Sequence, residues 1–339
     1  MRFSIKQQLL FASSLVLGII IFIWLGKING WEEIWKAFAV FTGWQGLVII
    51  LLSFLIAIIG NWRWKEILKD SGINVSFNTL FKIYLGGYSM MYLIPIMIWG
   101  GEAFRVYGLT KAKGITWKKT FASVIIERIL EWTVNIVVIF LGLAFFLYNV
   151  YLPPKHLMII FGISLTFFVS MISFFYIKAL GKKSIVKQIV KRFWKKEVSD
   201  NNGFITVENE VFEYFKWGKS LNKGIALSFL RALVMQARVW ILIIFLGNAI
   251  GFLPSLSILG FSYLSSMIPI PTALGSHEAV QYFAFTSLGL LGSMSTVFTM
   301  ILRAAEIVVS SVGMAFLLGT GFKLAESKIF NYDKSKQDS

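Results

Sequence analysis

Residues 89–109 read SMMYLIPIMIWGGEAFRVYGL and residues 265–285 read SSMIPIPTALGSHEAVQYFAF, two stretches built on one plan. In each, a proline (Pro95 or Pro271) stands seven residues before a glutamate (Glu102 or Glu278). A helical arginine, Arg128 or Arg303, follows about 25 residues later. Proline and glycine interrupt an apolar helix at both places. Interrupted apolar segments in matching positions of two halves are the sequence mark of a transporter's binding site.

The surrounding chain is a membrane protein by composition. Its 339 residues are 57% hydrophobic and 16% aromatic, with mean hydropathy +0.72. A soluble domain cannot keep a charged surface on that composition. The formal charge is +16, from 33 Lys+Arg against 17 Asp+Glu. The basic residues crowd the ends of apolar segments, where they set orientation and meet anionic headgroups, so nucleic acid is not the expected partner. There is no cysteine and there are two histidines, His156 and His277, which excludes disulfides and thiol chemistry and argues against a metal centre or cofactor. The apolar run from Leu9 to Leu25 ends in WLGKING, with no small-residue cleavage site, and reads as a retained first span.

A helix needs about 20 apolar residues to cross the hydrocarbon core. Six segments qualify, near 8–26, 43–61, 121–148, 156–179, 224–248 and 294–321. Two more, 80–101 and 256–292, are broken by Pro and Gly and carry polar residues. Irregular backbone at membrane depth must be covered by protein or water, so these are expected to be re-entrant hairpins. The fold class is thus all-α and polytopic, with about six transmembrane helices and two hairpins related as an inverted repeat. Its parts are a first membrane half at 1–180, a basic amphipathic segment and linker at 181–223, a second half at 224–321 and a cytoplasmic tail at 322–339.

Basic residues give the orientation. The segment 62–82 holds Arg63, Lys65, Lys69 and Lys82, and 105–119 holds Arg105, Lys111, Lys113, Lys118 and Lys119. Both are expected to face the cytoplasm, which puts both termini inside and makes the hairpins enter from opposite sides. From Lys178 to Lys196 there are eight basic residues and no acid, while Ile185, Val186, Ile189, Val190, Phe193 and Trp194 share one helical face. This stretch reads as a helix on the inner leaflet, either a topology anchor or a site for anionic membrane lipid at 178–196.

Ionisable residues inside spans are costly and are functional candidates. Glu102 follows Gly100 and Gly101, so it sits in the first turn of a restarted helix, as a cap or a site acid. Arg105 lies three residues on and is placed to pair with Glu102, bind phosphate or anchor the chain at the cytoplasmic surface. Glu127 and Arg128 lie about 9 Å into their span, with Glu131 at i+3 to pair with Arg128. Arg303 and Glu306 repeat that spacing. Each Arg-x-x-Glu is either a structural ion pair or a grip on a phosphodiester. Arg231 and Arg238 share a face of the fifth span, and Arg238, near its middle, reads as the partner of a carboxylate or an anionic substrate or as a snorkelling cation. His277, beside Glu278, reads as a titrating donor or as a polar hairpin cap. No P-loop, metal cluster or Ser/His/Asp constellation is present, and GSH at 275–277 lacks the companions of a lipid-phosphatase signature.

The lead-in WRWKEILKDSGINVSFNTLFKIYLGGYSM, the GGEAFR after Pro95, SVIIERILEW, IPIPTALGSHEAV and TMILRAAE together resemble the flippase-like transmembrane family that includes the membrane domain of lysylphosphatidylglycerol synthetases. The chain departs from that family's usual proline-glycine and Gly-Gly-Leu-Gly-like runs at IPIMIWGGE and PTALGSHE. The resemblance implies lipid translocation, and places Glu102, Arg105, Glu127, Arg128, Glu278 and Arg303 at motif positions. The residues after Gly321 are too few for the aminoacyl-transfer domain of bifunctional relatives, so lysyl-lipid synthesis is not expected. The expected function is a non-enzymatic flippase of the cell membrane for an aminoacylated or other phospholipid or a polyprenyl-phosphate carrier, with homo-oligomers possible. The rival readings are a lipid-modifying membrane enzyme and a scaffold of envelope synthesis.

Overall fold

A computed structural model of the chain describes residues 42–93, 100–149, 155–195, 202–216, 218–267 and 276–337, with single positions at 32 and 199. The expected span at 8–26 and both prolines of the repeat lie outside these residues. The described elements are all helices: α1 Trp44–Asp70, α2 Phe77–Leu93, α3 Gly100–Lys113, α4 Trp117–Asn149, α5 Lys155–Leu180, α6 Ile185–Trp194, α7 Gly203–Tyr214, α8 Lys219–Phe245, α9 Phe252–Met267, α10 Ser276–Ser287 and α11 Gly292–Gln337. Five are long and apolar enough to cross a membrane, namely α1, α4, α5, α8 and the first part of α11, over Gly292–Leu317. The chain is a polytopic membrane protein. Its outer surface fits that solvent, because Leu47, Leu51, Leu55 and Ile58 form an exposed apolar stripe down α1, and Ile159, Ile163 and Phe167 do the same on α5.

Four helices recur, their starts shifted by 175 or 176 residues: α1 as α8, α2 as α9, α3 as α10 and α4 as α11. Their ends recur too. α1 closes on Gly72 (φ 76°), with Ile73 N–H donating to Leu68 O at 2.9 Å, and α8 closes on Gly247 (φ 83°), with Asn248 N–H donating to Ile243 O at 3.2 Å. This is the same left-handed glycine cap twice. Asn61 donates to Phe77 O (3.3 Å) and its counterpart Gln236 to Phe252 O (2.8 Å), tying the first helix of each half to the start of the second.

The halves interlock. α1 packs along α8, α2 against α11 and α9 against α4. Trp44 meets Phe245, Arg63 meets Ser228 and Glu66 meets Lys223, so α1 and α8 run antiparallel over their whole length. Both cross-packings rely on glycine where backbones approach. A Cβ on Gly142 would come within 2.7 Å of Leu256 O on α9, and one on Gly313 would strike Leu85 O and Ser89 Oγ on α2.

Each interrupted segment contributes a pair of packed helices, α2 on α3 and α9 on α10, and the stretches 94–99 and 268–275 between them lie outside the described residues. The first pair extends beyond the expected limits of 80–101 at both ends, from Phe77 to Lys113, while the second, expected at 256–292, runs from Phe252 to Ser287. α6 is a helix as expected, with Ser184 as its N-cap, and none of its residues is buried. Its first turn rests on α7, where Glu208 accepts from the N–H groups of Ile185 (2.7 Å) and Val186 (3.0 Å). α11 continues as helix to Gln337, through the stretch expected to be a tail.

Candidate functional site

Two groups of charged side chains sit on the α1–α8 seam, one near Arg63 and the other near Ser53. The ten residues between them put the groups about 15 Å apart along the helix, half the thickness of a hydrocarbon core. In the first group Arg63 of α1 donates to Glu127 (3.0 Å) and Glu131 (3.4 Å) of α4 and to Ser228 of α8 (3.0 Å). In the second, Arg238 of α8 donates to Glu306 of α11 (2.5 Å) and to Ser53 of α1 (2.7 Å). Ser53 and Ser228 are counterparts, as are Arg63 and Arg238. Each arginine thus bonds the serine of the opposite half.

The hairpin acids complete both groups. Glu102, in the first turn of α3, pairs with Arg128, and Glu278, in the first turn of α10, pairs with Arg303 at 3.0 Å. Each acid is presented from the first turn of its helix, where the free N–H groups favour a carboxylate. Exposure follows the repeat as well. The side chains of Arg128 and Arg303 are 21% and 27% exposed and those of Glu131 and Glu306 are 16% and 20%, whereas Arg63, Arg238, Glu102 and Glu278 are buried. Both groups therefore have a sealed base and an accessible arginine-glutamate rim. A guanidinium held by a carboxylate yet reachable from outside suits an exchangeable anion, because a phosphate oxygen can replace the carboxylate in the same fork geometry.

The first group carries additions that the second lacks. Arg105 of α3 pairs with Glu127 and lies over the rings of Trp64 (4.0 Å) and Tyr84 (4.8 Å). Arg231 of α8 donates to Glu131 at 2.7 Å. Their counterparts are uncharged: Gln281 for Arg105, Leu302 for Glu127 and Ile56 for Arg231. In the second group Tyr88 of α2 donates to Glu306.

Most of the expected residues do come together, with changed partners. Arg128 pairs with Glu131 at 3.2 Å as the spacing required. The equivalent Arg303 and Glu306 divide, the first toward Glu278 and the second toward Arg238 and Tyr88. Glu102 and Arg105 are not each other's partners, since each reaches a different residue of α4. Arg63 and Arg105 do not belong to loops counted for orientation. They are 1% and 5% exposed, inside helices, because the α4 carboxylates offset the cost of burial there. The remaining lysines of those segments keep the basic excess. His277 ties the second hairpin together through Ser265 (3.0 Å) and Ser266 (3.4 Å) of α9.

Sequence reading left Arg63 among the surface cations and treated Glu131 only as a partner of Arg128. It had no view of Ser53, Ser228 or Tyr88. The 175-residue shift, applied to the whole chain, pairs Arg63 with the mid-span Arg238 and would have found it.

No solved structure matches the chain. It is 29% identical to a UPF0104 membrane protein of Pyrococcus horikoshii over 315 residues, covering 88% of this chain and 92% of that one. It is 24% identical to one of Methanocaldococcus jannaschii over 277 residues (78% and 81% covered) and 24% identical to one of Methanothermobacter thermautotrophicus over 295 (83% and 86%). The profile of the lysylphosphatidylglycerol synthase transmembrane region matches residues 11–313, nearly the whole chain, and this polytopic protein therefore belongs to that family.

Proposed function

We propose that the protein moves a lipid between the leaflets of the cell membrane, passing an anionic or zwitterionic headgroup along the α1–α8 seam while the tails stay in the bilayer. The observation that carries this reading is the duplicated Glu–Arg grip, one copy in each half and about 15 Å apart along the seam. A headgroup released by one grip has a second of the same chemistry within reach. Antiparallel packing of α1 on α8 supports an inverted repeat, the arrangement in which rocking one half against the other alternates access.

In this reading Arg128 and Arg303 take the phosphate in turn. Glu102 and Glu278 neutralise them between cycles, and Arg238 and Arg63 form the fixed base. Basic residues place both termini and the α2–α3 hairpin on the cytoplasmic side and bring the α9–α10 hairpin in from the other. The unburied apolar face of α6, flanked by Lys187, Lys191 and Arg192, would rest on the anionic inner leaflet.

Reconstitution into liposomes with headgroup-labelled lipids tests the reading. Wild type is expected to move label between leaflets, and Glu102→Gln and Arg303→Ala to abolish most of that transfer. Folded wild type that moves none of the candidate lipids, or variants that match it, would defeat the proposal. The chain has no native cysteine, so Glu102→Cys and Glu278→Cys can be labelled singly. Reaction of the two from the same side only would defeat the inverted arrangement.

A further inference from the structure

Charge breaks the repeat. Four guanidinium groups, those of Arg63, Arg105, Arg128 and Arg231, surround three carboxylates, Glu102, Glu127 and Glu131, in the first group. The second group sets Arg238 and Arg303 against Glu278 and Glu306. The excess comes from Arg231, whose counterpart in the other half is the buried, apolar Ile56. Among the described residues one cation of this group is thus uncompensated, which at membrane depth is expensive unless an anion joins it.

Two guanidinium groups of the first group are placed to meet an anion together, those of Arg128 and Arg231. The Nε–H of Arg231 is buried without a hydrogen-bond partner, as are those of Arg63 and Arg105 in the base and of Arg238 in the second group. Arg231 and Arg128 both donate to the Glu131 carboxylate, at 2.7 and 3.2 Å, so both guanidinium groups lie within the span of one small oxyanion. Both are also part of the accessible rim, with side chains 14% and 21% exposed.

We infer that the Arg128–Arg231 rim is a binding site for a phosphodiester with one negative charge whose remaining headgroup is uncharged, and that this site, unlike its neutral counterpart, is where the lipid rests. This rests on the translocation reading for its biological meaning, and it names the cargo within it. A zwitterionic or aminoacylated headgroup would bring its own cation and leave the excess in place. A dianion would overshoot it. The grip in the second half, already neutral, would hold the same headgroup more weakly, which gives the transfer path one preferred end.

Equilibrium dialysis of the full chain in detergent tests this without any transport step. The probes are short-chain phosphatidylglycerol, short-chain phosphatidylcholine and inorganic phosphate. Phosphatidylglycerol is expected to bind once per chain, at least about tenfold tighter than phosphatidylcholine, whose quaternary ammonium brings a cation into a site already in excess of them. Arg231→Ile should weaken it by about the same factor, and Arg231→Lys, which keeps the charge, by no more than about threefold. If Arg231→Ile does not fold, Arg231→Gln removes the same charge and carries the same expectation. Equal affinity for the two lipids, or full affinity in the charge-removing variants, overturns the inference. Inorganic phosphate binding as tightly as the lipid overturns its assignment to a lipid headgroup. Binding as expected with no transfer in liposomes would sink the translocation reading and leave the site standing.

Discussion

Glu131→Gln is the most informative single change in the protein. Glu131 receives Arg231 at 2.7 Å, Arg128 at 3.2 Å and Arg63 at 3.4 Å, and it is the point where α1, α4 and α8 meet electrostatically. The substitution keeps the volume but removes the charge, raising the local excess from one guanidinium to two. Breaking a buried ion pair from one side costs about 3–5 kcal/mol, because the partner's charge stays buried without compensation. Here Arg63 retains Glu127 and Arg128 retains Glu102, so the lower end, about 3 kcal/mol, is expected, with Arg231 bearing most of it. Adding Arg231→Ile to Glu131→Gln returns the excess to one and installs the apolar residue found at position 56. The double variant should therefore recover about 1–2 kcal/mol of the loss, a coupling of the size seen between residues in contact. Unfolding in mixed micelles, followed by near-ultraviolet circular dichroism for wild type, both single variants and the double, gives all four corners of the cycle. A Glu131→Gln cost below about 1 kcal/mol, or a double variant no better than the single, would refute the charge accounting.

Other positions test the packing and the surface helix. Gly142→Ala and Gly313→Ala each force a Cβ into the backbone of the opposite half and should cost about 1–3 kcal/mol, read by the same unfolding assay. Gly162→Ala, where nothing lies within 4 Å, serves as the neutral control. Glu208→Ala removes the acceptor for the first two amides of α6 and should weaken that helix by about 0.5–2 kcal/mol, seen as faster hydrogen exchange at Ile185 and Val186 and unchanged exchange in α8. Phe193→Cys carrying an environment-sensitive dye should report an apolar setting in nanodiscs rich in phosphatidylglycerol and a wetter one in phosphatidylcholine alone. The same emission in both would remove the anionic leaflet from the account of α6.

The class of fold was legible because it depends on features local in sequence. Apolar length marks the crossing helices, and Pro95 and Pro271 stand in the sequence between the helices of each packed pair. The amphipathic face of α6 shows at helical spacing, since no tertiary contact has to be known to draw it. The site was half legible for the same reason. Arg128 and Glu131 are one turn apart, so their pairing follows from helix geometry alone. Arg303 and Glu306 have the same spacing but different partners, because α10 and α8 offer each of them a nearer counter-charge. Arg63 was hidden by its neighbours: Trp62, Trp64 and Lys65 make the end of α1 look like an interfacial belt, and only the α4 carboxylates, some 64 residues away, reveal that it is buried. The serines of the seam carry no charge signal at all, and a lone hydroxyl in an apolar helix usually bonds its own backbone, as Ser53 also does toward Ile49 O at 2.9 Å.

The crossed serine and arginine contacts carry a consequence for how such a chain can arise. Ser53 serves Arg238 and Ser228 serves Arg63, so the seam is self-complementary, each contact made twice with the roles exchanged. A half-length chain holding one serine and one arginine at these positions would satisfy both by pairing with a second copy of itself, as two-fold homodimers do. Joining two such copies in one polypeptide frees each to change alone. Ile56 and Arg231 stand at equivalent positions of the seam, and their difference is one that a symmetric dimer could not hold.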